Sequence, residues 1–155
     1  MRVLGLGLLG LLVFSSLLAC AKTGGEDQIF QGRYLVITGG CNDCHTAGYG
    51  PMEGNVPEEA WLTGDSVGYK GPWGTTYPVN LRLHMENLTE DQWVAEVASL
   101  QTRPPMPWFN LNQYKESDLR AIHAYISSLE PKGTAAPAYL PPDQQPPLPY
   151  IDFDP

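Results

Sequence analysis

The sequence predicts an all-α fold of about three main helices, joined by long Gly- and Pro-rich loops. Three observations carry this. Helical periodicity recurs in three separate stretches, near residues 28–38, 89–100 and 117–129. No alternating succession of strands and helices is found. The chain of 155 residues holds 16 Gly and 15 Pro, which leaves long irregular connections between the helices.

The N-terminal residues are an export signal rather than a fold element. Arg2 precedes an apolar run from Val3 to Leu18, broken only by glycines and Ser15-Ser16. The run ends in Leu17-Leu18-Ala19-Cys20, which resembles the bacterial lipoprotein signal. That resemblance implies removal of residues 1–19 and acylation of Cys20; the alternative is an uncleaved N-terminal anchor, for which the run is somewhat short. Either way the domain sits outside the cytoplasm; the lipoprotein reading attaches it to a bacterial membrane, on the periplasmic or cell-surface side. Residues 20–27 form the lipidated N-terminus and a flexible tether, whose last seven residues reach at most roughly 25 Å.

Residues 28–131 form the domain. Ile29, Phe30, Leu35, Val36 and Ile37 supply the apolar positions of the first helix, with Asp27 as N-cap. Gly32 allows close packing, and Gly39-Gly40 ends the helix. From Thr46 to about Asn87 no period is sustained. A connection this long suits a loop that wraps a bound group, with Trp61, Tyr69, Trp73 and Tyr77 as aromatic candidates to pack on it. Thr89-Glu90-Asp91-Gln92 is a capping box that opens a helix ending near Leu100. Ser117 is the expected N-cap of the last helix. Its apolar stripe of Leu119, Ile122, Tyr125, Ile126 and Leu129 should pack across the first. His123 is expected as an exposed helix residue. Residues 132–155 are Pro-rich and acidic at the end, and read as an extended tail that drapes over the domain or docks to a partner.

Cys41-Asn42-Asp43-Cys44-His45 carries the chemistry. Two cysteines separated by two residues, with histidine directly after, form the attachment sequence of a c-type haem. Each thiol adds across one vinyl group, and helical spacing brings both to one edge of the porphyrin. His45 then serves as the proximal iron ligand. A bare C-x-x-C also fits a zinc knuckle or a redox dithiol. Zinc needs two further ligands, and the third cysteine, Cys20, has another use. Met106, in Arg103-Pro104-Pro105-Met106-Pro107-Trp108, is the candidate second axial ligand, because flanking prolines stiffen its loop. Met52, Met85, His84 and His123 are the alternatives. Trp73, Tyr77 and Asn80 are candidates for haem packing or for hydrogen bonds to its propionates.

Together these features resemble a monohaem class I cytochrome c. Tyr34-Leu35, Trp61-Leu62-Thr63-Gly64, Gly71-Pro72-Trp73-Gly74, Asn80-Leu81, Met106-Pro107-Trp108 and Asp118-Leu119-Arg120-Ala121-Ile122 are similar to cytochrome c domains associated with membrane-bound bacterial dehydrogenases. Where that family often reads Asn-Leu-Thr, this chain has Asn80-Leu81-Arg82. The resemblance implies the class I fold around one covalent haem and a one-electron carrier with His45 and Met106 as ligands, rather than an enzyme. Its partners would be redox proteins, among them a membrane-bound dehydrogenase or oxidase of a respiratory chain. A haem-based ligand sensor or peroxidase-like module with an open sixth position is the alternative, and an accessory lipoprotein with structural haem a third. The formal charge of −8 becomes −9 when Arg2 leaves with the signal. That disfavours nucleic acid and suits a basic docking partner, or simple solubility.

Overall fold

The computed structural model describes residues 25–154. Within them lie six α-helices and a small three-stranded sheet, so helix is mixed with strand and the all-α expectation is corrected. Helix α1 covers residues 25–38. Residues 25–27, expected at the end of the tether, are already helical, so Asp27 is not the N-cap. Gly40, at φ 70°, closes this helix and turns directly into α2, Cys41–His45. This left-handed backbone is the one that glycine adopts without strain.

The stretch from Thr46 to Asn87 is less irregular than its composition suggests. It holds a one-turn 3₁₀ segment at Glu58–Ala60, strands β1 (Gly68–Gly71) and β2 (Gly74–Thr76), and α3 (Leu81–Met85). Beyond it come α4 (Glu90–Ser99), α5 (Trp108–Leu111), α6 (Glu116–Ser128) and β3 (Tyr150–Asp152). The sheet order is β2-β1-β3. Tyr69 pairs antiparallel with Thr76 on one side and parallel with Ile151 on the other.

The tail therefore docks on its own domain. Thr75 and Leu140 exchange two backbone hydrogen bonds of 2.8 and 3.0 Å. Lys70 Nζ reaches Asp152 at 3.1 Å and Asp154 at 2.7 Å. The Phe153 ring stacks on Tyr69 at 6.2 Å and leans on Trp73 at 5.8 Å.

The core lies where α1 and α4 meet α6. Val36, Leu62, Val97, Tyr125 and Ile126 are fully buried. Trp93 on α4 donates its indole N–H to the Leu119 carbonyl at 3.0 Å. The capping box of α4 forms as expected: Thr89 Oγ1 accepts from Gln92 N, and Thr89 N donates to Gln92 Oε1 at 2.8 Å. Helix α6 is capped two residues earlier than expected. Its N-cap is Lys115, without a side-chain cap bond, and Ser117 sits inside the first turn. His123 is half-buried rather than exposed, and its Nε2 donates to the Leu88 carbonyl at 2.9 Å. No described helix is long and apolar enough to cross a membrane.

Gly32 is where α1 crosses α6. A Cβ there would run into the Ala121 carbonyl and lie 2.7 Å from Tyr125 Cβ. In an isolated helix Gly→Ala gains up to about 1 kcal/mol. Here the obstacle is backbone, which cannot rotate away, so the helices must separate at a cost of about 1–3 kcal/mol or more. Gly32→Ala is therefore expected to lower stability despite its better propensity, read as a lower urea midpoint at unchanged slope.

Arg82 stands in the first turn of α3. Its guanidinium is buried and donates to three carbonyls: Trp61 at 2.7 Å, Glu58 at 2.8 Å and Glu130 at 3.1 Å. One side chain thus ties the loop before β1 to the end of α6. Burial is the main cause of its lowered pKa, and the carbonyl dipoles replace the water it has lost.

Candidate cofactor site

A cavity of about 570 Å³ opens between α2, the β1–β2 hairpin, α4, the Met106 loop and α6. That lies within the roughly 300–1,000 Å³ typical of pockets for small molecules and cofactors. Cys41, Cys44, His45 and Met106 all line it, as does Tyr77. Sequence separates Met106 widely from the cysteines, and the fold brings them together.

Helix α2 is fixed by the segment that follows it. Thr46 Oγ1 donates to Asn42 Oδ1 at 2.7 Å and accepts from Leu62 N at 2.8 Å. Gly64 N donates to the His45 carbonyl at 2.9 Å. Leu62 itself is held at φ 60°, an uncommon conformation for a side-chain-bearing residue. The hydrogen bond that Leu62 N donates to Thr46, with the Leu62 carbonyl accepting from Leu81 N at 2.9 Å, keeps it there.

His45 is nearly enclosed. Its Nδ1 lies 2.8 Å from the Val79 carbonyl. A carbonyl only accepts, so Nδ1 carries the proton and the lone pair of the neutral ring sits on Nε2. Burial, the largest influence, lowers the His45 pKa below 6.5, against the raising effect of Val79. The ring is thus held neutral, and among the described residues Nε2 has no hydrogen-bond partner. Fixing one imidazole nitrogen on a carbonyl orients the other for a metal.

The two cysteines are free thiols. Burial first, then Asp43 and Cys44 against an opposing backbone hydrogen bond, push the Cys41 pKa up to about 11. A redox-active C-x-x-C needs a lowered thiol pKa, so the environment of Cys41 argues against the dithiol alternative. Two tyrosines flank the pair. Burial and then Cys44 raise the Tyr69 hydroxyl pKa, and burial and then Cys41 raise that of Tyr114.

The other expected positions divide. Of the four aromatic candidates, Tyr69 and Tyr77 line the cavity. Trp61 instead sits in the core, with its indole N–H on the Val56 carbonyl and its ring edge-on to Tyr49. Trp73 faces the tail and donates to the Tyr69 carbonyl at 3.3 Å. Asn80 caps α3, where Oδ1 accepts from Leu83 N, while Nδ2 donates to the Lys132 and Thr134 carbonyls. Neither Trp73 nor Asn80 is among the residues that line the cavity. Cys20 lies outside the described residues.

Arg103 and Glu96 are cavity residues to which the sequence reading gave no role. Arg103 lines the cavity, and its place just before Pro104-Pro105-Met106 was the available signal. The pair His84–Glu96, at 2.8 Å, also lines it. Of the alternative ligands, His84 reaches the cavity; Met52, Met85 and His123 do not line it. Among the described residues no three His, Cys, Asp or Glu side chains form a metal-binding group. A porphyrin supplies four equatorial nitrogens of its own, so a haem iron asks the chain for only two axial donors.

No protein-family model matches this chain, and neither the curated proteins nor the solved structures show a significant similarity to it.

Proposed function

We propose that this chain holds one covalent c-type haem and carries single electrons outside the cytoplasm, as a class I cytochrome c tethered through Cys20. The observation that carries the reading is the convergence of Cys41, Cys44, His45 and Met106 on one cavity, with His45 neutral and its Nε2 directed by the Val79 hydrogen bond. Bound there, the haem supplies a one-electron ferric/ferrous couple.

The chain's own residues do the rest. Cys41 and Cys44 hold the group through two thioethers. His45 Nε2 and the Met106 sulfur would be the chain's two donors to the haem iron, and a thioether donor would favour the ferrous state. Trp93, Ile122 and Ile126 supply apolar wall and exclude water. Arg103 and Tyr77 are polar groups that the cavity offers to the propionates. With His45 and Met106 both committed to the metal, the bound group would offer no open position to oxygen or peroxide, and the chain would act as a carrier rather than an enzyme. The acidic surface steers a basic redox partner, such as a membrane-bound dehydrogenase or oxidase.

The test is the optical spectrum of haem-matured protein, oxidised and reduced, with and without carbon monoxide. A sharp reduced c-type spectrum, a weak far-red ferric band from sulfur ligation and no response to carbon monoxide are expected. A spectrum that shifts with carbon monoxide would favour the ligand-sensor alternative instead.

A further inference from the structure

The Met106 loop, from Leu100 to Pro107, contains neither helix nor strand. Prolines stiffen it but do not anchor it. Three side-chain contacts fasten it from outside. Asn112 Nδ2 donates to the Leu100 carbonyl at 3.2 Å and closes its neck. Thr76 Oγ1, from β2, donates to the Pro104 carbonyl at 2.9 Å. The third comes from the tail: the Arg103 guanidinium lies 3.8 Å over the centre of the Tyr139 ring.

Tyr139 is well placed to act as an anchor. Its hydroxyl donates to the Trp73 carbonyl at 2.9 Å, and its neighbour Leu140 is bonded both ways to Thr75. The hairpin is shaped to admit it. Gly74 sits at φ 94°, and a Cβ there would lie 2.7 Å from the Tyr139 hydroxyl. Further along, β3 and the Lys70–Asp152 and Lys70–Asp154 pairs secure the tail's end. The tail thus grips the hairpin and, through one ring, the ligand loop.

We propose that the tail, residues 139–153, is a strap that holds the Met106 loop in place at the cavity, with Tyr139 as a positioning residue acting through Arg103. This rests on the reading that Met106 ligates a haem iron. The strap sets how often the sulfur leaves the metal, and hence how readily an outside ligand replaces it.

The test uses haem-loaded ferric protein titrated with imidazole, following loss of the far-red sulfur–iron band. Tyr139→Ala removes an exposed cation–π contact and is expected to raise the apparent imidazole affinity about two- to fivefold. Tyr139→Phe keeps the ring and should stay close to wild type. In an Arg103→Gln background, Tyr139→Ala should add nothing, since the contact it removes is already gone. An unchanged affinity in Tyr139→Ala, with the band present in wild type, overturns the strap alone. A wild-type protein lacking the band overturns the sulfur ligation and the strap with it.

Discussion

Replacing Cys41 and Cys44 together with alanine is expected to abolish covalent retention of haem completely, while the cavity remains. Both thiols line that cavity and are only half-buried. Neither contributes to a disulfide, so their removal costs the fold little. What holds α2 in place is elsewhere, in the Asn42–Thr46–Leu62 hydrogen bonds and the Gly64–His45 bond. His45 and Met106 persist in the variant, so haem can still enter but is lost on denaturation. The measurement is the mass of denatured protein, matured in a host that attaches haem c. Wild type should carry the increment of one haem, each single variant should keep one thioether, and the double variant should run at the mass of the bare chain. A wild-type protein at the bare-chain mass in such a host would remove the central claim, whatever the cavity's shape.

What the sequence made legible follows from the range of the interactions involved. The Cys41–His45 pentapeptide and the Pro-flanked methionine are local patterns, read from residue type and spacing alone. The capping box at Thr89 and the stripe on α6 are equally local, and both stand in the structure as expected. The strands were not legible. Gly-Tyr-Lys-Gly and Gly-Thr-Thr are too short and too glycine-rich to alternate, and their partner β3 lies in a Pro-rich tail. The contacts of Trp73 and Asn80 were hidden for the same reason. Phe153 draws Trp73 toward the tail, and the carbonyls of Lys132 and Thr134 capture the Asn80 amide. These partners are distant in sequence, and nothing in the local pattern announces them. Arg82 likewise looked like a departure from a family word, yet its role lies in three remote carbonyls.

Replacing Met106 with alanine is expected to lower the reduction potential by on the order of 0.1 V or more, a fraction of the roughly 0.8 V that axial ligands span, and to open the iron to carbon monoxide. The structure sharpens what each outcome would mean. Met52 and Met85 do not line the cavity, so no other described methionine stands ready to replace the lost sulfur. His84 does line it, held by Glu96 at 2.8 Å on a partly exposed pair. A potential that falls while carbon monoxide is still refused would therefore mean that His84 has moved in. Met106→Ala combined with His84→Ala should then restore carbon monoxide binding. His84→Ala alone should leave the far-red ferric band untouched, because in the wild type the histidine is committed to Glu96 and the sulfur to the metal. An unchanged potential in Met106→Ala would exclude the sulfur as ligand. His84 would then become the leading candidate for the second axial position, being the one other histidine besides His45 that lines the cavity.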